Sequence, residues 1–167
     1  MMSYVIGVPT LLLLAVLQST VFSEIGFLDG QPDLILVILI AWSLAGRADE
    51  AMVFALIGGV FLDLLSGTPF GATSIIYVAA LYMISLVEGQ FWKGHFLLPP
   101  AITLFTSLVI YAYSLGILFL IGHPVDLSYA LPRVILPGTF LNLLLALPAY
   151  HLMSNLQERY FPSEVDI

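Results

Sequence analysis

The chain has 167 residues, of which 60% are hydrophobic and only 9% are charged, and its mean hydropathy is +1.07. Soluble domains typically contain about 25% charged residues, so this composition excludes an ordinary water-exposed surface and predicts an all-α integral membrane protein. The net charge of −7, with 4 basic residues, leaves no basic patch for nucleic acid, and the absence of cysteine excludes disulfides and thiolate chemistry.

Six apolar stretches predict six transmembrane helices in a single compact bundle. We expect one domain over residues 1–153 and a short cytoplasmic tail over 154–167. The first stretch has no basic region before it, which favours a retained helix over a removed signal peptide. The predicted helices cover residues 4–22, 34–46, 51–62, 70–87, 99–121 and 134–153, with a loop at 122–133 that has room for a short surface helix.

The second and third stretches are separated only by the tetrapeptide RADE at 47–50. A single helix over 33–66 would be about 51 Å long, whereas the hydrocarbon core of a membrane is about 30 Å thick. A tight helical hairpin is therefore predicted, with a re-entrant pair as the alternative. With the N-terminus in the cytoplasm, Arg47, Lys93 and Arg159 lie inside and Arg133 lies outside, so both termini are predicted to be cytoplasmic.

Asp63 interrupts the apolar sequence in FLDLLSGTPFG, residues 61–71. An ionisable group inside a membrane helix is costly and is usually functional or paired. Asp63 either serves as a proton or ligand site, or accepts hydrogen bonds from Ser66 or Thr68 in its own turn. Gly67 suits the end of a helix, and Thr68 followed by proline suits the start of the next. The pattern favours the structural interpretation.

Two further patterns predict helix packing. Ala51, Ala55 and Gly59 are spaced by four, which places small residues on one helix face and allows close approach of a neighbouring helix. Asn142, near the centre of the last helix, is predicted to form a hydrogen bond across helices.

No histidine has a ligand neighbour at helical spacing, and no catalytic motif is present, so we expect no metal site, no cofactor and no enzyme.

The segment QPDLILVILIAWSLAGRADEAMVFALIGGVFLDLLSGTPFGATSIIYVAALYMIS, residues 31–85, resembles the MreD family of bacterial rod shape-determining membrane proteins. The resemblance rests on a Pro-Asp pair that opens an apolar helix, a short polar turn, and a Gly-rich helix that runs into DLLSGTPFG. The motif residues are Pro32, Asp33, Asp63, Gly67, Pro69 and Gly71. The resemblance implies that they define the fold or face a partner.

The resemblance also implies a function and partners. It predicts a non-enzymatic protein of the cytoplasmic membrane in the cell-wall elongation machinery, with MreC as the direct partner and with MreB and the RodA–transpeptidase synthase in the wider complex. It further implies a fold similar to the six-helix substrate-binding components of vitamin importers. Two alternatives to a scaffold remain at this stage: a substrate-binding subunit of a vitamin importer, and an intramembrane enzyme that uses Asp63.

Overall fold

The computed structural model of the chain describes residues 2–21, 27–88, 96–123 and 125–160, and this part is almost entirely helical. A π-helical turn, Leu131–Ile135, joins the last two helices into one continuous helix. The helices are α1 (Met2–Thr20), α2 (Leu34–Leu44), α3 (Ala48–Ser66), α4 (Ala72–Glu88), α5 (Leu98–Leu120), α6 (Leu127–Ala130) and α7 (Leu136–Tyr160).

Helix α2 is the centre of the bundle. It packs against α1, α3, α4, α5 and α7, and most of its side chains are buried on every face. A helix that is apolar all round is expected to be buried all round. With 11 residues, α2 is only about 16 Å long, which is short for crossing a membrane but suits a core helix enclosed by longer ones.

The outer surface of the bundle is apolar, while polar side chains lie inside. On α5, Phe105, Phe119 and Leu120 are 70%, 72% and 80% exposed. The buried polar residues are Ser3, Ser43, Asp63, Ser74, Thr103, Thr106, Ser107, Thr139 and Asn142. This is the reverse of a water-soluble protein and fits a lipid environment. Within the described residues, three helices are long and apolar enough to cross a membrane: Ser3–Thr20, Leu98–Leu120 and Leu127–Tyr160.

The structure corrects several predicted helix boundaries. Helix α7 continues through Pro148 to Tyr160, so the predicted end at residue 153 is wrong and the predicted tail begins as helix. The predicted loop at 122–133 does contain the short helix that the sequence allows, because α6 begins at Leu127 after Asp126, whose carboxylate accepts a hydrogen bond from the N–H of Ser128. Residues 161–167 and Lys93 lie outside the described residues.

The junction of α6 and α7 shows how the fold tolerates proline within a helix. Pro137 has no N–H, so the carbonyl of Arg133 lacks its usual helical donor. The backbone N–H of Asp29 donates to that carbonyl at 3.0 Å. The connection between α1 and α2 is thereby fixed to the π-helical turn.

Candidate functional site

Asp33 begins α2 and is the centre of a hydrogen-bond network that we call the Asp33 junction, made of Gln18, Asp33, Tyr77, Ser107 and Asn142. Its Oδ1 accepts from the N–H of Leu36 at 3.1 Å and from Nε2 of Gln18 at 3.2 Å. The Gln18 Oε1 in turn accepts from the N–H of Ile35 at 3.3 Å. Since the first N–H groups of any helix lack partners within it, these side chains satisfy the buried start of α2.

Asp33 also connects α2 to three more helices, through its carboxylate, its backbone N–H and its partner Asn142. The hydroxyl of Tyr77, on α4, donates to Asp33 Oδ2. The Asp33 N–H donates to Oδ1 of Asn142, on α7, at 2.7 Å. Asn142 Nδ2 then donates to Oγ of Ser107, on α5, at 3.0 Å. Together with Gln18 on α1, the Asp33 junction therefore ties five helices together.

Asp63 is buried, with 4% of its surface exposed, and it forms a separate network at the turn between α3 and α4. Its Oδ1 accepts from the Thr68 hydroxyl and from the Thr73 N–H, both at 3.0 Å, and its Oδ2 accepts from the Gly71 N–H at 2.8 Å. A carboxylate at the start of α4 is also stabilised by the helix dipole. Gly67 takes the left-handed conformation, φ +69°, that ends α3.

These contacts are those expected for a residue that fixes a turn. The predicted contact between Asp63 and Thr68 is present, whereas Ser66 pairs with the Thr68 hydroxyl at 2.9 Å instead of with Asp63. Because the bonds to Asp63 occupy both carboxylate oxygens, the geometry supports a structural role more than proton transfer.

The small residues of α3 pack inside the bundle. Ala51 and Ala55 are fully buried. A Cβ added at Gly59 would lie 2.5 Å from the Cα of Ser74 on α4, so the two backbones meet at a distance that only glycine allows. The close approach of α3 and α4 thus depends on Gly59.

The opposite end of the bundle is held by a smaller polar cluster. Arg47 forms an ion pair with Glu50, whose Oε1 also accepts from the Ser3 hydroxyl at 3.1 Å. The guanidinium of Arg47 lies over the ring of Trp42, 5.8 Å from its centre. The pKa of Arg47 is raised above its ordinary value, chiefly by the hydrogen bond with Glu50. The cluster joins the start of α1 to the turn between α2 and α3.

A cavity of about 540 Å³ lies next to the Asp33 junction and is bounded by α1, α2, α3, α4, α5 and α7, together with the π-helical turn and the connections before α2 and α4. We call it the junction cavity. Its polar lining residues include Asp29, Asp33, Thr73, Tyr77, Tyr111 and Ser114, and most of the lining surface is apolar. The described residues include no cluster of three acidic or histidine side chains that would hold a metal ion.

The structure brings some predicted site residues together and separates others. Asp33 and Asn142 are in direct contact although they are 109 positions apart. Pro32 is buried beside them, whereas Gly67 and Pro69 are exposed. The sequence did not single out Tyr77 and Ser107, because an aromatic residue and a serine in apolar helices carry no specific signal.

Comparison with known families gives a match over most of the chain. A family model described as rod shape-determining protein MreD matches residues 1–157 of the 167-residue chain. We found no match among curated proteins and none among solved structures. The expected similarity to vitamin-importer components therefore stays a prediction.

Proposed function

Since the chain belongs to the MreD family, which acts in rod-shape determination, we propose that it is a non-enzymatic scaffold of the cell-wall elongation machinery that binds MreC in the bacterial cytoplasmic membrane. The family match over residues 1–157 is the observation that carries this proposal. In this proposal a single six-helix domain crosses the membrane with both termini in the cytoplasm, and MreB and the RodA–transpeptidase synthase belong to the wider complex.

The engagement of the buried polar groups supports a scaffold over an enzyme. The carboxylates of Asp33 and Asp63 both accept hydrogen bonds that hold helix ends in place. An active site needs a reactive group that stands within reach of a substrate and a second group that assists it. The contacts of these two carboxylates rigidify the bundle, as a scaffold requires, and among the described residues no second carboxylate, histidine or lysine that could assist is hydrogen-bonded to either of them.

The exposed part of the DLLSGTPFG motif is the proposed contact with MreC. The fold gives Asp63 and Gly71 a structural role, because they form the turn, but it gives no such role to the residues at the tip of that turn. Pro69 is exposed and Phe70 is 74% exposed. A large exposed aromatic side chain on a rigid turn is a typical anchor for a partner.

The test is to express the tagged chain in a rod-shaped bacterium that lacks its own MreD and to recover it from membranes in a mild detergent. We expect MreC to be recovered with the wild-type chain and the cells to be rods. Phe70→Ala should reduce the recovered MreC at least several-fold, because it removes an anchor without touching the core. Phe105→Ala is the matched control, since that side chain is 70% exposed on α5 and lies outside the motif.

Two outcomes separate the parts of this proposal. If the wild-type chain restores rods but never retains MreC, binding to MreC is wrong. If Phe70→Ala retains as much MreC as Phe105→Ala, the scaffold role stands and the contact surface at the motif is wrong.

A further inference from the structure

The junction cavity has the size and wall chemistry of a small-molecule site. Its volume is about 540 Å³, and ligand sites commonly measure about 300–1,000 Å³. Such sites are mostly apolar with a few convergent polar groups, and they often lie between the helices of a bundle. The scaffold function makes no use of this cavity.

Helix α5 presents two hydroxyl groups to the cavity, and neither is hydrogen-bonded to another described residue. Tyr111 and Ser114 line the cavity and, three residues apart, share one face of the helix. Neither hydroxyl has a hydrogen-bond partner among the described residues. Tyr111 can lie against α7 because position 138 is glycine, where a Cβ would meet its hydroxyl. These groups are available to a ligand.

Asp33 also retains capacity to bind. A carboxylate has about four acceptor positions, and three are filled by Gln18, Leu36 and Tyr77. The remaining position belongs to Oδ2, which already receives the Tyr77 hydroxyl. One further donor is therefore needed to satisfy this carboxylate completely.

The charge of the cavity wall favours a ligand with a positive charge. Asp29 and Asp33 line the cavity, and no lysine, arginine or histidine is among its described lining residues. Arg133, in the π-helical turn, is exposed and does not line it. The ring of Tyr111, which is only half-buried, adds aromatic surface of the kind that attracts cations. An anion would be repelled by this wall, whereas a cation would be attracted.

We propose that the junction cavity binds a small organic cation, a primary or quaternary amine, which pairs with Asp33 and lies against the ring of Tyr111. The same chemistry is carried by free amines and by the amine headgroup of a phospholipid. The proposal is independent of binding to MreC.

The first experiment measures the thermal unfolding of the purified, delipidated chain in detergent with added choline chloride or ethanolamine hydrochloride. Sodium chloride and sodium acetate at equal ionic strength are the controls. We expect a saturable rise of the melting temperature with the amines only, of about 5–10 °C at a hundredfold excess over Kd. No rise, or an equal rise with sodium chloride or acetate, would overturn the proposal.

Three variants locate the binding. Asp33→Asn keeps the size and the cap of α2 but removes the charge, and should weaken amine binding at least tenfold. Tyr111→Phe removes only a hydroxyl and should weaken it several-fold. Asp126→Asn is the control, because Asp126 is exposed and does not line the cavity. Should Asp33→Asn fail to fold, Asp29→Asn takes its place. Amine binding that survives both aspartate substitutions refutes the assignment.

Native mass spectrometry distinguishes the two sources of the amine, a phospholipid headgroup and a free amine. Retention of phosphatidylethanolamine by the wild-type chain and its loss in Asp33→Asn would identify a lipid headgroup. Saturable choline or ethanolamine binding without retained phosphatidylethanolamine would identify a free amine. Equal retention of phosphatidylglycerol, which has no amine, would contradict the proposal.

Discussion

Replacing Asp63 by asparagine should destabilise the protein although it preserves the shape of the side chain. Three donors converge on the carboxylate, and two of them, the N–H groups of Gly71 and Thr73, can only donate. They bind different oxygens, whereas asparagine has one oxygen and one NH₂ group. In either orientation of the amide, its NH₂ group therefore faces one of these two backbone N–H groups, and that N–H loses its acceptor. A buried donor without an acceptor costs about 1–3 kcal/mol, so we expect the free energy of unfolding to fall by about 2 kcal/mol.

The matched control is Asp33→Asn, which removes the same charge from a site with different donors. Oδ1 of Asp33 receives the backbone N–H of Leu36 and the amide of Gln18, and the asparagine oxygen can take both. Oδ2 receives the Tyr77 hydroxyl, which can rotate and accept from the new NH₂ group. Asparagine also caps helices about as well as aspartate. We expect a loss of less than about 1 kcal/mol, since no backbone N–H is left without an acceptor.

The assay is equilibrium unfolding in mixed dodecyl sulfate and dodecylmaltoside micelles, followed by tryptophan fluorescence. Each variant is compared with the wild-type chain in the same detergent. Equal losses for the two variants, or a larger loss at Asp33, would refute the argument from donor geometry. Retained stability of Asp63→Asn together with loss of cell shape would instead support chemistry at Asp63.

The remaining predictions concern packing and surface charge. Gly59→Ala should lower the free energy of unfolding by about 1–3 kcal/mol, because its Cβ would lie 2.5 Å from the backbone of Ser74. Gly116 has open space around it, so Gly116→Ala should cause no loss of stability in the same unfolding assay. Glu50→Gln should cost no more than about 1 kcal/mol, because its ion pair with Arg47 is partly exposed, and the difference should shrink at high salt. A loss for Gly116→Ala as large as for Gly59→Ala, or a salt-independent loss for Glu50→Gln, would contradict these arguments.

Much of the helical fold is predictable from the sequence, because apolar runs and their breaks are local signals. The hairpin between α2 and α3 and the end of α3 at Gly67 follow from charge and turn chemistry, although the turn ends at Arg47 and the other three residues of RADE begin α3. The end of α7 does not, because Pro148 and the polar residues after it suggest a stop. The helix continues because tertiary contacts outweigh these signals: Met153 and Leu156 lie with α1 and α2 around an apolar groove.

The site is predictable in its parts but not in its assembly. A Pro-Asp pair marks a helix start, and an asparagine in an apolar helix indicates a hydrogen bond, so Asp33 and Asn142 carry signals of their own. Nothing local indicates that they bond to each other across 109 positions. Tyr77 and Ser107 carry no distinguishing signal, since tyrosine and serine also occur on lipid-facing and packing surfaces.

The placement of α2 explains why so polar a network lies in so apolar a protein. A helix of 11 residues enclosed by longer ones begins inside the bundle, where its first N–H groups need side-chain acceptors. The N–H groups of Asp33, Ile35 and Leu36 are satisfied by side chains from α7, α1 and the cap itself. The groups that cap α2 therefore also fix the positions of its neighbours. A substitution that removes the cap should therefore loosen the packing of several helices at once.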